Sequence, residues 1–194
     1  MGVIKTALEI ALEKTETVKS DRSSIDQFET NQRGKKLANT FLAGEGDMVL
    51  ELKKTPAEHK TSLKQGIFDV LVTQIALPDS AESQNRLEKA GQGLALIIEK
   101  NEFSAMFKQL LQITGQYLQE ASQYEQAVRQ QYAPKLRQKE EELSRRLGRE
   151  IRIDPMQDPE FVSFFNQHMT ALKNNYMGLI DQAKSEARRL FSIN

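Results

Sequence analysis

The chain contains no cysteine, only two histidines and no excess of charge of either sign. Without cysteine it can form no disulfide framework, no thiolate zinc site and no cysteine nucleophile. Its 27 basic and 27 acidic residues give a formal charge of zero, whereas proteins that coat nucleic acid or an anionic membrane usually carry a basic excess. These absences favour a protein of the reducing cytoplasm, and we predict a cytoplasmic location.

The two histidines do not stand in the patterns that metal catalysis requires. A di-iron site in a helical bundle needs Glu-x-x-His pairs, but Pro56 stands three residues before His59 and Phe165 three before His168. The His-Glu-x-x-His motif is absent for the same reason. His168 falls on an apolar helical stripe with no accompanying nucleophile, which favours a packed histidine over a general base. We expect no metal, no cofactor and no enzyme activity.

Long apolar runs are missing as well. No stretch approaches the roughly 20 apolar residues of a membrane span. Glu9 and Glu13 interrupt the apolar run that a signal peptide would need. No internal repeat and no low-complexity linker divides the chain. We predict that no membrane is among the partners of this protein.

The strongest positive signal is the helical spacing of apolar residues between positions 117 and 191. Two segments of nearly equal length flank a short connection between Gly148 and Asp158. Such segments fold back on each other most simply as an antiparallel, coiled-coil-like helical hairpin, about 45 Å long. The second segment carries its stripe almost without a gap, in Phe161, Phe165, His168, Leu172, Tyr176, Leu179, Ala183, Ala187 and Leu190.

Shorter helices are predicted upstream of the hairpin. Residues 3–18 form a first amphipathic helix with an apolar stripe of Ile4, Leu8, Ala11, Leu12 and Val18. The polar stretch Ser20–Ser24 is interpreted as a break before a second helix that ends near Gly44. This second helix is expected to bury Ile25, Phe28, Ala38, Phe41 and Leu42.

The clearest helix start in the chain is Thr55-Pro56-Ala57-Glu58, with Thr55 as N-cap and Glu58 reaching back to it. The helix that follows is apolar nearly all round between Ile67 and Leu77, so we place it in the centre of a bundle. Pro134 removes a backbone donor from the first hairpin segment. That segment is therefore predicted to kink near Ala133 or to consist of two helices.

Two short segments alternate like strands, Met48–Leu52 between helices and Ile151–Ile153 in the hairpin turn. Met48–Leu52 remains ambiguous, because it is too short to exclude a helical turn. The two segments are able to pair as a two-stranded ribbon, although an isolated ribbon is marginally stable. Gly34-Lys35-Lys36 lacks the first glycine and the Ser or Thr of a phosphate-binding loop, and is interpreted as a helix end or loop.

These patterns predict an all-α fold, in which a helical bundle head carries a long antiparallel helical hairpin and at most one tiny two-stranded ribbon. We divide the chain into an N-terminal amphipathic helix (residues 1–19), a helical head (residues 20–116) and the hairpin (residues 117–194).

The segment 135–152 is the one basic cluster of interest, with seven basic residues against four acidic ones. Arg145, Arg146 and Arg149 are its candidate phosphate contacts. Glu and Arg partners at helical spacing favour a solvated helical face instead, and three acidic residues between positions 154 and 160 cancel the excess. Nucleic-acid association through this segment is therefore the alternative function, and we rank it below protein association.

The hairpin carries more apolar surface than one partner helix covers. Exposed apolar patches usually mark an interaction site. We predict a non-catalytic interaction or scaffold protein that self-associates as a homodimer through its hairpin, with another protein as the other partner considered. The candidate interaction surface comprises Phe161, Phe164, Phe165, His168, Met169, Leu172, Tyr176, Leu179 and Ile180.

The turn of the hairpin, from Leu147-Gly148-Arg149-Glu150-Ile151-Arg152-Ile153-Asp154-Pro155 to Asp158-Pro159, resembles a segment of the ATP synthase delta subunit family. The resemblance covers the turn alone, and a long helix follows where that family has a glycine-rich hairpin. It therefore implies no fold, activity or site residue for this chain.

Overall fold

The structure is a computed structural model that describes the backbone of residues 7–192 and the side chains of residues 23–192. Within these residues it contains two short 3₁₀ turns, no strand and six α-helices: α1 (Ala7–Ala43), α2 (Met48–Lys54), α3 (Ala57–Leu71), α4 (Ala81–Ile98), α5 (Asn101–Leu147) and α6 (Pro159–Ser192). These helices contain most of residues 7–192, far above the one-third of residues that is typical of globular domains. The predicted all-α fold is therefore confirmed.

The helices form two compact units. The first extends to Gln74 and includes Lys89–Lys100, and the second combines Ile75–Glu88 with the chain from Asn101 onward. Helix α5 passes through residue 116 without interruption. The predicted division of the chain at residues 19 and 116 stays a prediction. None of the helices within residues 7–192 is both long enough and apolar enough to cross a membrane.

Helix α1 is continuous, so the predicted break at Ser20–Ser24 is wrong. Ile25 and Phe28, which were expected to be buried, are 57% and 64% exposed, whereas Ala38 and Leu42 are buried as predicted. Helix α1 is much longer than α3: its 37 residues span about 55 Å, whereas the 15 residues of α3 span only about 22 Å. Helix α3 therefore cannot cover the whole length of α1, which explains why some apolar residues of α1 are exposed. The stripe predicted for residues 4–18 lies outside the described side chains.

Helices α1 and α3 meet at two glycines. A Cβ atom at Gly34 would lie 2.3 Å from the carbonyl oxygen of Leu63, and one at Gly66 would lie 2.0 Å from that of Asn31. Only glycine allows two backbones to approach this closely. Gly34 thus lies inside α1, and its interpretation as part of a helix end or loop is wrong. Its role is to let α3 approach closely, and the residues around Gly34 carry no information about that second helix.

The start of α3 differs from the prediction. Thr55 is buried, and its hydroxyl donates 2.8 Å back to the carbonyl oxygen of Glu51, where it closes α2. Helix α3 begins after Pro56 with no side-chain cap bond. The predicted capping box from Thr55 to Glu58 is therefore wrong: the threonine hydroxyl lies at the end of α2 and accepts no hydrogen bond from the first turn of α3.

Met48–Leu52, whose sequence fits either a strand or a helical turn, lies in helix α2. Its N-cap is Asp47, whose carboxylate accepts 3.0 Å from the backbone N–H of Leu50. A side-chain cap of this kind stabilises even a short helix. Ile151–Ile153 is irregular, so the ribbon considered for these two segments is not formed.

In the second unit, α5 is one α-helix of 47 residues that contains Pro134. The alternative of two helices is therefore wrong, while the kink near Ala133 stays a prediction. Helix α6 follows after a short turn, and α5 and α6 pack against each other. The coiled-coil character of this pair also stays a prediction.

Candidate interaction surface

Aromatic side chains join α5 to α6 along their length. Tyr117 packs on Tyr176 with ring centroids 5.0 Å apart, and Tyr132 packs on Phe161 at 5.2 Å. Contact positions that rise along α5 fall along α6, so the two helices are antiparallel. The hydroxyl of Tyr176 also donates a hydrogen bond to Glu120. These tyrosines are thus used in packing within the pair.

His168 lies in this aromatic seam. Its Nδ1 atom is 3.1 Å from the hydroxyl of Tyr124, and its ring centroid is 4.4 Å from that of Phe164. Neither partner is a carboxylate, which the orienting role in a catalytic triad would require. Among the side chains of residues 23–192, no three acidic or histidine residues stand together as a metal site. The lack of catalysis nevertheless stays a prediction.

An ion bridge ties the C-terminal part of α6 to the start of α5. The guanidinium of Arg189 donates to Glu186 at 2.6 Å and to Glu102 at 3.1 Å. The hydrogen bond from Arg189 lowers the pKa of Glu186 below its ordinary value. Glu102 and Arg189 lie 87 positions apart in the sequence, so sequence spacing gives no signal for this bridge.

A second ion cluster joins the helices beside the turn. The ammonium of Lys139 donates to both carboxylate oxygens of Asp158, at 2.7 and 2.9 Å, and Lys135 pairs with Glu160 at 2.8 Å. Asp158 is only 5% exposed. The hydrogen bond from Lys139 lowers the pKa of Asp158, and the same bond raises the pKa of Lys139. Asp158 also accepts 3.0 Å from the backbone N–H of Glu160, which caps the start of α6.

The turn itself is tied back to α5 by side chains. The backbone N–H of Ile151 donates 2.8 Å to Ser144 Oγ, and that of Ile153 donates 2.8 Å to Glu140 Oε1. These two bonds satisfy donors that a ribbon would have used, which explains why Ile151–Ile153 forms no strand. Gly148 ends α5 with a left-handed φ of 64°, the position that favours glycine after a helix.

The basic segment 135–152 is partly neutralised by the contacts just described. Lys135 and Lys139 are occupied by acidic residues, and Arg145 lies 3.5 Å from Glu141. Arg146 and Arg149 are exposed and have no ion pair within the described part of the chain. Arg145 and Arg146 belong to the last turn of α5, where positive charge stabilises the helix dipole. The helix dipole is therefore a structural reason for Arg145 and Arg146 at this end of α5.

The nine residues predicted as an interaction surface differ in burial. Phe161, Leu172 and Ile180 are at most 8% exposed, so they are covered within the chain. Leu179 is 38% exposed. The other five are half-buried: Phe164, Phe165, His168, Met169 and Tyr176. A partner is able to reach only the exposed part of this set, whose role as an interface stays a prediction.

An open groove of about 700 Å³ runs between α5 and α6. Leu179 is the one member of the predicted set that lines it. The α5 side of the groove is not among the predicted residues, because the prediction places residues 101–116 in the head. The apolar stripe of α5 is the sequence signal for this side. Its lining includes Met106, Ile113, Leu179, Asp181, Gln182, Glu186 and Arg189.

The chain belongs to a family of unknown function (DUF6657), which covers residues 50–189. No curated protein and no solved structure matches the chain. The matched residues include every residue that lines the groove, whereas α1 precedes them.

Proposed function

We propose that this member of a family of unknown function is a non-catalytic interaction protein that self-associates through the groove between α5 and α6. The observation that carries the proposal is the groove itself, in which Met106, Ile113 and Leu179 present apolar surface to the outside. Apolar surface of this kind, bordered by polar residues, is typical of a protein-binding site.

The groove lining favours binding over catalysis. Its residues include no histidine, and two of its ionisable residues, Glu186 and Arg189, are bonded to each other. General acid–base chemistry needs a titratable group free to exchange a proton with a substrate. Asp181 is the remaining ionisable residue of the lining, and one carboxylate without a partner group makes a poor catalytic site.

A second copy of the chain is the partner that the charges favour. A two-fold axis brings one patch against itself, so the patch must be complementary to its own surface. The groove rim carries both signs, with Asp181 and Glu186 acidic and Arg189 basic, and the chain has a formal charge of zero. Two copies are therefore not separated by net repulsion.

Light scattering coupled to size exclusion tests this proposal on the full chain. Leu179→Glu places a charge on the apolar lining and is expected to weaken the dimer at least about thirtyfold, as loss of a central interface residue does. Leu147→Glu is the matched control, because Leu147 is also exposed, at 58%, but lies outside the groove. A wild-type chain that remains monomeric, or equal effects of the two variants, would overturn the proposal.

Nucleic-acid association through residues 135–152 is the second candidate function. The observation in its favour is that Arg146 and Arg149 have no ion pair within the described side chains. Against it stand the acidic partners of Lys135 and Lys139. This candidate predicts binding that weakens steeply with salt.

A further inference from the structure

The first unit contains a cleft of about 320 Å³ that belongs to neither candidate above. Helices α2 and α3 and the end of α4 line it. Its apolar part consists of Val49, Leu52 and Leu96, of which Val49 is 39% exposed. Exposed aliphatic side chains in a cleft offer a contact surface to an aliphatic ligand.

Three lysines surround this apolar floor. Lys53 and Lys60 are exposed and have no ion pair among the residues that the structure describes. Lys64 donates 2.6 Å to Glu99, the only acidic residue of the lining. The cleft therefore carries an excess of two positive charges beside its aliphatic residues.

Glu99 follows directly after α4 and has an unusual backbone conformation. Its φ of 55° lies in the left-handed region, which non-glycine residues rarely adopt. A left-handed residue is common directly after a helix, and the backbone N–H of Glu99 donates 3.1 Å to the carbonyl oxygen of Ala95 in α4. Because Lys64 neutralises Glu99, this carboxylate does not repel an anion from Lys53 and Lys60.

We infer that this cleft binds a small organic anion with an aliphatic body, such as a medium-chain carboxylate. The carboxylate lies between the ammonium groups of Lys53 and Lys60, and the alkyl chain contacts Val49, Leu52 and Leu96. Ligand sites begin at roughly 300 Å³, so the volume fits a small molecule and is too small for a partner helix. The charge excess selects an anion over a neutral lipid.

The test is a titration of the isotope-labelled full chain with octanoate, followed by amide chemical shifts. We expect the perturbed amides to belong to α2, the start of α3 and the end of α4. Lys53→Gln and Lys60→Gln should each raise the Kd about threefold to fivefold, the contribution of one exposed ion pair. Lys36→Gln removes the same charge from an exposed site on α1 and should leave the Kd unchanged.

Glu99→Gln is expected to change the Kd for octanoate in the opposite direction. It releases Lys64 to the ligand and should lower the Kd for octanoate, whereas loss of fold would raise it. Octanol is the neutral probe and should bind at least about fivefold more weakly than octanoate. Equal binding of octanol, equal effects of Lys36→Gln and Lys53→Gln, or the absence of octanoate binding would each overturn the inference.

Discussion

The two units hold their helices together in opposite ways. In the first unit, α1 and α3 meet backbone to backbone at Gly34 and Gly66, where an added Cβ would lie 2.3 and 2.0 Å from carbonyl oxygens. In the second, α5 and α6 are joined by large side chains, with ring centroids 5.0 to 5.2 Å apart at two levels. One contact depends on the absence of side chains and the other on their presence.

The two kinds of contact make the units sensitive to different substitutions. A backbone crossing cannot yield to an added atom, because neither carbonyl group can turn aside like a side chain. The α5–α6 pair distributes its contacts over rings, ion pairs and caps along the helices. Each of these contacts supplies only a fraction of the stability, so single changes there should cost less.

The largest effect is expected from Gly66→Ala. Its methyl group would collide with the carbonyl of Asn31 at 2.0 Å, and overpacking of this kind costs about 3 kcal/mol. Thermal unfolding followed by far-UV circular dichroism should show a Tm about 10 °C lower than that of the wild type.

Gly115→Ala is the control for that experiment. A Cβ at Gly115, inside α5, would meet no atom within 4 Å. Alanine is favoured over glycine in a helix by up to about 1 kcal/mol, so its Tm should rise slightly. Equal losses of stability in the two variants would show that the glycine crossing is not special and would remove the contrast between the units.

A smaller, pH-dependent effect is expected from Asp158→Asn in the second unit. Asparagine keeps the cap of α6 but loses the ion pair with Lys139. Since the pKa of Asp158 is lowered by folding, its charge stabilises the fold above the ordinary pKa of about 3.9 and ceases to do so as pH falls through the lowered value.

The Tm of the variant should therefore lie about 3 °C below that of the wild type near pH 6. The difference should narrow as the pH falls below the ordinary pKa of a carboxyl group, and should disappear once the wild-type carboxylate has also taken up a proton. A difference that persists in acid would mean that the amide disturbs packing, and that the charge of Asp158 is not what joins α5 to α6.

The smallest effect is expected at the tip of the second unit. Replacing Arg145, Arg146 and Arg149 together by glutamine removes charge at an exposed helix end, which contributes a few tenths of a kcal/mol. The Tm should fall by about 1 °C, and the mobility of DNA and RNA should be unchanged by either protein at low salt. Salt-sensitive binding that the triple variant loses would instead establish nucleic-acid association through residues 135–152.

The groove shows which of its residues periodicity identifies and which it does not. Leu179 was recognised from its place in the stripe of α6, because periodicity identifies the apolar face of a single helix. Ile180 fell in the same predicted set, yet it is 1% exposed while Leu179 is 38% exposed. Periodicity cannot say which part of a wide stripe its own partner helix covers, and this division decides what remains for another molecule.

Local patterns in the amino-acid sequence were sufficient to predict the all-helical fold and the pairing of two long helices around a turn. Both follow from local spacing and from the short connection between the segments, which leave few alternatives. Three features became visible in the folded chain: Gly34 lies at a helix crossing, Ile25 and Phe28 are exposed, and Lys139 pairs with Asp158. These depend on which backbones and charges from distant positions come together, and local periodicity carries no information about such neighbours.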